Sequence, residues 1–302
     1  MDVRKKYMGI VLFSALVVAV ESVGVEAAIN TFGAEPYVVA FVPSLVAGLI
    51  LLGLMPGAAR KVASDLGRNG WMFMVATCLV IAAGVFMWFD AVGRIGASKE
   101  ALLGGGSSEV LFIVLFSAVF LSERLTRLEA AGSVLVLAGV FIVLANVDTM
   151  TLSLGFGEVE AIASSFLLAI SVVMTAMLLR SHRLTPVSGI ELLVSGTVLL
   201  VIGVPLGFVP WPGVEDLLVL VGLGVFPAVG IVTYYAGVPR IGASLTSVLF
   251  ALTGIMTVGV QLAVLMFVPD ANMILPESLP MALGGGLVAF AGVYLLNHGG
   301  RG

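Results

Sequence analysis

Apolar positions in this chain do not alternate with polar ones. They run on in blocks of about 18 to 25 residues, broken by charges, Pro and Gly. At about 1.5 Å of rise per residue such a block crosses a hydrocarbon core of roughly 30 Å, and a helix satisfies its backbone polar groups there within one segment. The pattern predicts ten spanning helices, at about 8–29, 36–55, 71–92, 97–121, 128–146, 156–180, 188–208, 216–237, 242–267 and 280–297. The longest connections lie near 56–70 and 268–279, so no soluble domain is inserted and function is expected in the bundle itself. The expected fold class is an all-α polytopic membrane protein.

Composition agrees: 60% of the 302 residues are apolar and 11% charged, against roughly 45–50% and 25% in soluble domains. A net charge of −4 is too small to argue for nucleic acid. The first apolar run follows Arg4, Lys5 and Lys6 and is too long for a signal peptide, so it reads as the first span. With the N-terminus inside, twelve of the fourteen basic residues fall on the cytoplasmic face, among them Arg60, Lys61, Arg68, Arg124, Arg127, Arg180, Arg183 and Arg240. Both termini are therefore expected in the cytoplasm, with the protein in the cell membrane. Cys78, the single cysteine, lies inside a span and reads as a small core residue. His182 and His298 fall at the cytoplasmic surface, and no metal cluster or nucleophile with its base is evident. No cofactor, metal or catalytic residue is expected, and the chain does not read as an enzyme.

An internal echo organises the ten helices. Arg94-Ile95-Gly96-Ala97-Ser98 recurs as Arg240-Ile241-Gly242-Ala243-Ser244, each copy between the third and fourth helix of a five-helix half. Ala138-Gly139-Val140-Phe141 likewise returns as Ala291-Gly292-Val293-Tyr294. The halves are placed at 1–150 and 151–302. Five is odd, so the halves enter the membrane from opposite sides, and Arg94 becomes the basic residue outside. Inverted repeats are the architecture of alternating-access transporters.

With these repeats, with Ser122-Glu123-Arg124-Leu125-Thr126 before helix 5 and with Gly157-Glu158 opening helix 6, the chain resembles the drug/metabolite transporter superfamily in its ten-helix EamA form. The resemblance covers essentially the whole chain, although the Glu-Arg-Leu-Thr turn has no clear copy before helix 10. It implies an exporter of amino acids or other small metabolites, or an exchanger of phosphorylated sugars.

Charges inside a bilayer mark pathways. Glu21 and Glu109 lie near the midplane and are expected to face a central cavity as proton or cation acceptors. Glu26, Lys99 and Glu100 lie near the outer boundary, where Lys99 paired with Glu26 or Glu100 would form a gate. Gly104, Gly105, Gly106, Ser107 and Ser108 would interrupt helix 4 beside Glu109 and admit a substrate or a close helix. Ser14 shares a helix face with Glu21. Thr253, Thr257 and Gln261, spaced by four, line one face of helix 9. Trp88, Tyr234 and Tyr235 are candidates to cradle an apolar side chain, and Pro227 is a candidate hinge.

Lys99 is the one basic residue within a predicted span, which disfavours phosphorylated substrates. The expected substrate carries an ammonium group, with a proton as a further ligand: an amino acid first, and otherwise a cationic or apolar drug exported against protons. Two complete halves in one chain imply a functional monomer, with the lipid bilayer as its other partner.

Overall fold

The computed structural model of the chain describes residues 3–120, 126–146, 151–152, 154–205, 213–241 and 243–299. They are almost wholly helical. In chain order the helices are α1 Val3–Glu26, extended by a π-type turn to Thr31, α2 Pro36–Leu54, α3 Pro56–Asp65, α4 Gly67–Ile95, α5 Ala97–Leu103, α6 Glu109–Phe120 and α7 Arg127–Leu144. Two residue pairs, Ala145–Leu152 and Asn146–Thr151, then form a short antiparallel ladder. There follow α8 Phe156–Leu179, α9 Leu184–Gly203, α10 Val214–Leu223, α11 Val225–Ile241, α12 Ala243–Phe250, α13 Thr253–Phe267 and α14 Leu279–Gly299.

Among the described residues, eight helical stretches are long and apolar enough to cross a membrane: 3–31, 36–54, 67–95, 156–179, 184–203, 216–237, 248–267 and 279–296. Of the other two predicted spans, 97–121 is the broken stretch α5–α6, and 128–146 contains the shorter apolar helix Ala130–Leu144. The outer surface exposes Leu49, Met72, Val134, Leu218 and Phe267, the reverse of a water-facing protein. The Ser122–Leu125 part of the Glu-Arg-Leu-Thr turn lies outside the described residues, as do Gly242 and the Ser244 side chain.

Local sequence explains the ends. Pro36 and Pro56 open α2 and α3, where a missing N–H costs nothing. The stretch near 56–70, expected as a plain connection, is the short helix α3, pinned by Trp71 Nε1 donating to Ala63 O at 3.0 Å. Gly96, at φ +81, ends α4 and lets α5 start at once in a new direction. At Gly104–Ser108 the helix loosens into a π-type turn that separates α5 from α6. A second break falls at Ala251–Leu252, between α12 and α13.

These two breaks press on each other. A Cβ on Gly106 would stand 2.8 Å from Ala251 O, and one on Gly254 would stand 3.0 Å from Ala101 O. Elsewhere helices pair across the halves: α4 with α8 and α1 with α11, α2 with α9, α7 with α14, α5 with α13. The α7–α14 crossing brings backbones together, since a Cβ on Gly139 would meet Ala289 N at 2.5 Å and one on Gly292 would meet Gly132 O at 2.6 Å. The Arg94 guanidinium lies 5.1 Å from the Phe156 ring centroid, and Arg240 lies 5.5 Å from that of Tyr7. Thus each Arg of the repeated pentapeptide sits on an aromatic ring at the start of a helix in the other half.

Candidate functional site

Pairing of α1, α2, α4, α8, α9 and α11 around the two breaks leaves a central cavity of about 250 Å³. Its wall is mostly apolar, with Trp88, Phe89, Tyr234, Tyr235 and Phe250 as aromatic faces. Tyr234 stacks edge-on against both Tyr235 and Phe250, with centroids 5.0 and 4.9 Å apart. Four carboxyl groups face this space: Glu21 from α1, Glu100 from α5, Glu109 from α6 and Glu191 from α9. No Lys, Arg or His lines it among the described residues.

The four differ in their partners. Trp88 Nε1 donates to Glu100 Oε2 at 2.8 Å, and Thr175 Oγ1 donates to Glu191 Oε1 at 2.7 Å. Glu21, only 3% exposed, and Glu109 have no hydrogen-bond partner among the described residues. A carboxyl group in apolar surroundings must hold a proton or meet a cation, because an unpaired buried charge is too costly.

The hydroxyl groups on the wall add to this polarity. Ser22 donates to Val18 O, Ser44 to Ala40 O, Ser165 to Ala161 O, Ser171 to Leu168 O and Thr253 to Phe250 O. With each proton directed to the backbone three or four residues before it, oxygen lone pairs remain for the cavity. The wall is thus rich in acceptors, and the Ser188 hydroxyl is left as a donor without a partner among the described residues.

A second polar cluster closes the bundle at the Gly96 end. Glu26 accepts from Ala97 N and Gln261 Nε2, both at 2.9 Å, and from Ile274 N at 2.5 Å. Gln261 also donates to Ile274 O at 3.0 Å and accepts from Ser98 Oγ. One carboxylate therefore ties α1, α5, α13 and the 268–278 connection together. Lys99 Nζ lies 2.6 Å from Glu158 Oε1, while Gly155 N donates to Glu158 Oε2 at 2.9 Å. Arg94 Nε lies 2.7 Å from Asp90 and 3.2 Å from Glu160.

The expected pairing of Lys99 with Glu26 or Glu100 is thereby corrected. Successive helical residues point about 100° apart, so Lys99 and Glu100 face different neighbours. Lys99 turns to α8, whose first turn holds Glu158 in place, and Glu100 turns to the cavity. Of the predicted site residues the cavity gathers Glu21, Glu100, Glu109, Gly105, Trp88, Tyr234, Tyr235 and Thr253. Ser14 instead donates to Gly230 O at 2.8 Å and joins α1 to α11. Ser107 and Ser108 donate to the backbone of α5, Thr257 to Thr253 O, and Gly104 and Gly106 are filled by neighbours. Gln261 and Glu26 belong to the polar cluster at the Gly96 end. The sequence reading missed Glu191, Ser188 and Thr175. An acid inside an apolar run was the available signal, but a span begun at 188 leaves Glu191 at the interface, whereas the helix starts at Leu184.

Residues 5–145 match the EamA-like transporter family. A protein of Methanothermobacter thermautotrophicus described as an uncharacterized transporter is 28% identical over 242 residues, or 78% of this chain. That match spans 66% of the relative, just under two thirds of its length. A protein of known crystal structure, 22% identical, superposes with a TM-score of 0.63 over 95% of this chain and 96% of its own, which shows a shared fold.

Proposed function

We propose, from the premise that residues 5–145 belong to the EamA-like transporter family, that the whole chain is an alternating-access transporter of small amine-bearing molecules. The observation that carries this reading is the cavity itself: among the described residues it has four carboxyl groups, two of them without a hydrogen-bond partner, and no basic side chain on its wall. An ammonium group satisfies such a site, and aromatic faces beside it favour a cation further. The cross-pairing of α1 with α11 and α4 with α8, and the matched Arg–aromatic contacts, support two inverted halves that rock about this cavity. Export from the cytoplasm follows the resemblance in sequence. The seal at Glu26 and the cavity below it support a state closed at the Gly96 end.

The same wall discriminates among amines. For an amino acid the ammonium group is served, but the carboxylate would face four acids and no Lys, Arg or His among the described residues, with hydroxyl groups as its donors, and Gly104 and Gly106 of the glycine-rich turn are packed against Ala251, Glu100 and Ser165. Net-cationic amines are therefore favoured over zwitterions, and cationic drugs are a second reading on the same observation. Counterflow in proteoliposomes tests both: amines and organic cations should exchange, with amino acids weaker and phosphorylated metabolites inert. Exchange of phosphorylated compounds, or of none of the amines, overturns the proposal.

A further inference from the structure

Glu191 is more than a single-amine site requires, and it stands apart from Glu21 and Glu100. Counted inward from the Glu26–Ala97 contact, Glu21 lies five residues along α1 and Glu100 three residues along α5, so both are within on the order of 8 Å of the Gly96 end of the cavity. A Cβ on Gly104 would press on both Glu100 Oε1 and Ser165 Oγ, which places Glu100 beside Ser165 on α8. Glu191 is held by Thr175 of that same helix. From Ser165 to Thr175 along α8 is on the order of 15 Å.

The Glu191 end is built as a site of its own. Thr175 occupies one carboxyl oxygen, Oε1, and no described donor meets the other. Ser188, one turn before Glu191, lines the cavity, is 2% exposed, and has an Oγ without a hydrogen-bond partner among the described residues. Buried hydroxyl groups are rarely left so. Between Ser165 and Thr175 the α8 wall carries Leu168, Val172 and the Ser171 hydroxyl, and Glu109 enters the cavity from α6, nine residues beyond Glu100. Two acidic stations joined by a mostly apolar wall complement a chain of methylenes with an ammonium group at each end.

We infer that the cavity takes an extended diamine or polyamine, one ammonium group at Glu21 and Glu100, the other at Glu191 and Ser188. This rests on the reading of the cavity as an amine site. The test is competition in proteoliposome counterflow with the full chain, using diaminobutane, diaminohexane, diaminooctane and diaminodecane against the amino alcohols of the same lengths, which keep one ammonium group and lose the other. Diamines should compete at least about tenfold better than their amino alcohols, increasingly with length. Glu191→Gln should bring the diamines down to the level of their amino alcohols, lowering diamine competition more than that of the amino alcohols, with melting behaviour of the purified protein as the check on folding. Glu191→Asp, which keeps the charge on a shorter stem, should move the best competitor to a longer diamine and serves if Glu191→Gln does not fold.

Equal competition by diamines and amino alcohols in the wild type overturns the inference while leaving the amine reading intact. So does a Glu191→Gln variant that changes only the pH dependence, which would make Glu191 a proton site. Competition by neither class overturns both.

Discussion

Glu26 and Glu21 stand five residues apart on α1, both almost wholly buried, yet Glu26 meets donors from three other elements and Glu21 meets none among the described residues. The same contrast holds between the ends of the helix beyond Gly96, where Lys99 is matched by Glu158 while Glu109 is left open to the cavity. Sequence depth alone does not separate these pairs. What separates them is whether the fold supplies a donor. A satisfied buried carboxylate holds elements together, whereas an unsatisfied one awaits a proton or a cation.

Removing the satisfied partner should do the greater damage to the fold. Glu26→Ala leaves the Ala97 and Ile274 N–H groups and one Gln261 N–H unpaired at the Gly96 end, and should cost about 3–5 kcal/mol, in line with truncation of a buried polar network. Thermal unfolding in detergent should show a large loss for Glu26→Ala and little change for Glu21→Gln, which removes no contact. Equal losses would erase the distinction between the two residues.

The converse effect is expected on binding. Glu21→Gln and Glu109→Gln should each lower amine exchange by about tenfold or more, because a charge-assisted contact is lost from an apolar site. The sign of the pH effect is set by competition: on acidification a proton occupies the carboxylate and the amine is displaced, so wild-type exchange should weaken as pH falls. A neutral Gln removes the competitor, and the profile of each variant should flatten. Undiminished exchange with an unchanged profile in both variants would remove these residues from the site.

Eight of the spans and the deep acids were readable in the sequence, because hydrocarbon length and the rarity of charge in apolar runs are properties of one segment at a time. Glu21 and Glu109 needed no partner to be noticed. The gate pairing was misread for the opposite reason: Lys99 has several acids at similar depth, and only the packing of α5 against α8 selects Glu158. Glu191 was lost by a boundary four residues too late, which made a deep acid look superficial. The glycine-rich stretch was read correctly as an interruption, but only tertiary packing distinguishes Gly104 and Gly106, which are filled, from Gly105, which is open.

The α7–α14 crossing extends the comparison to a region remote from the cavity. Gly139→Ala would drive a Cβ against Ala289 N and Gly285 O, both at 2.5 Å, and backbone cannot yield as a side chain can. A loss of about 1–3 kcal/mol is expected from such overpacking. Gly284→Ala, with nothing within 4 Å, should be neutral. Amine exchange per folded molecule should be unchanged in both, and a fall in exchange for Gly139→Ala without loss of stability would show that this crossing takes part in the transport cycle.

The smallest effect is expected at the break between α5 and α6, where two adjacent glycines allow the two roles to be told apart at one site. Gly106 is closed off by Ala251 O at 2.8 Å, so Gly106→Ala should loosen the contact between the breaks and lower stability by about 1 kcal/mol or more. Gly105 lines the cavity with nothing within 4 Å of its added Cβ. Gly105→Ala should therefore leave melting unchanged within about 0.5 kcal/mol. Its methyl group takes volume from the cavity, so bulky cations should lose affinity by a few-fold while slender amines bind as before. If both variants instead changed stability alike and left selectivity untouched, the break would be a packing device only, and the carboxyl groups around it would have to define the substrate without it.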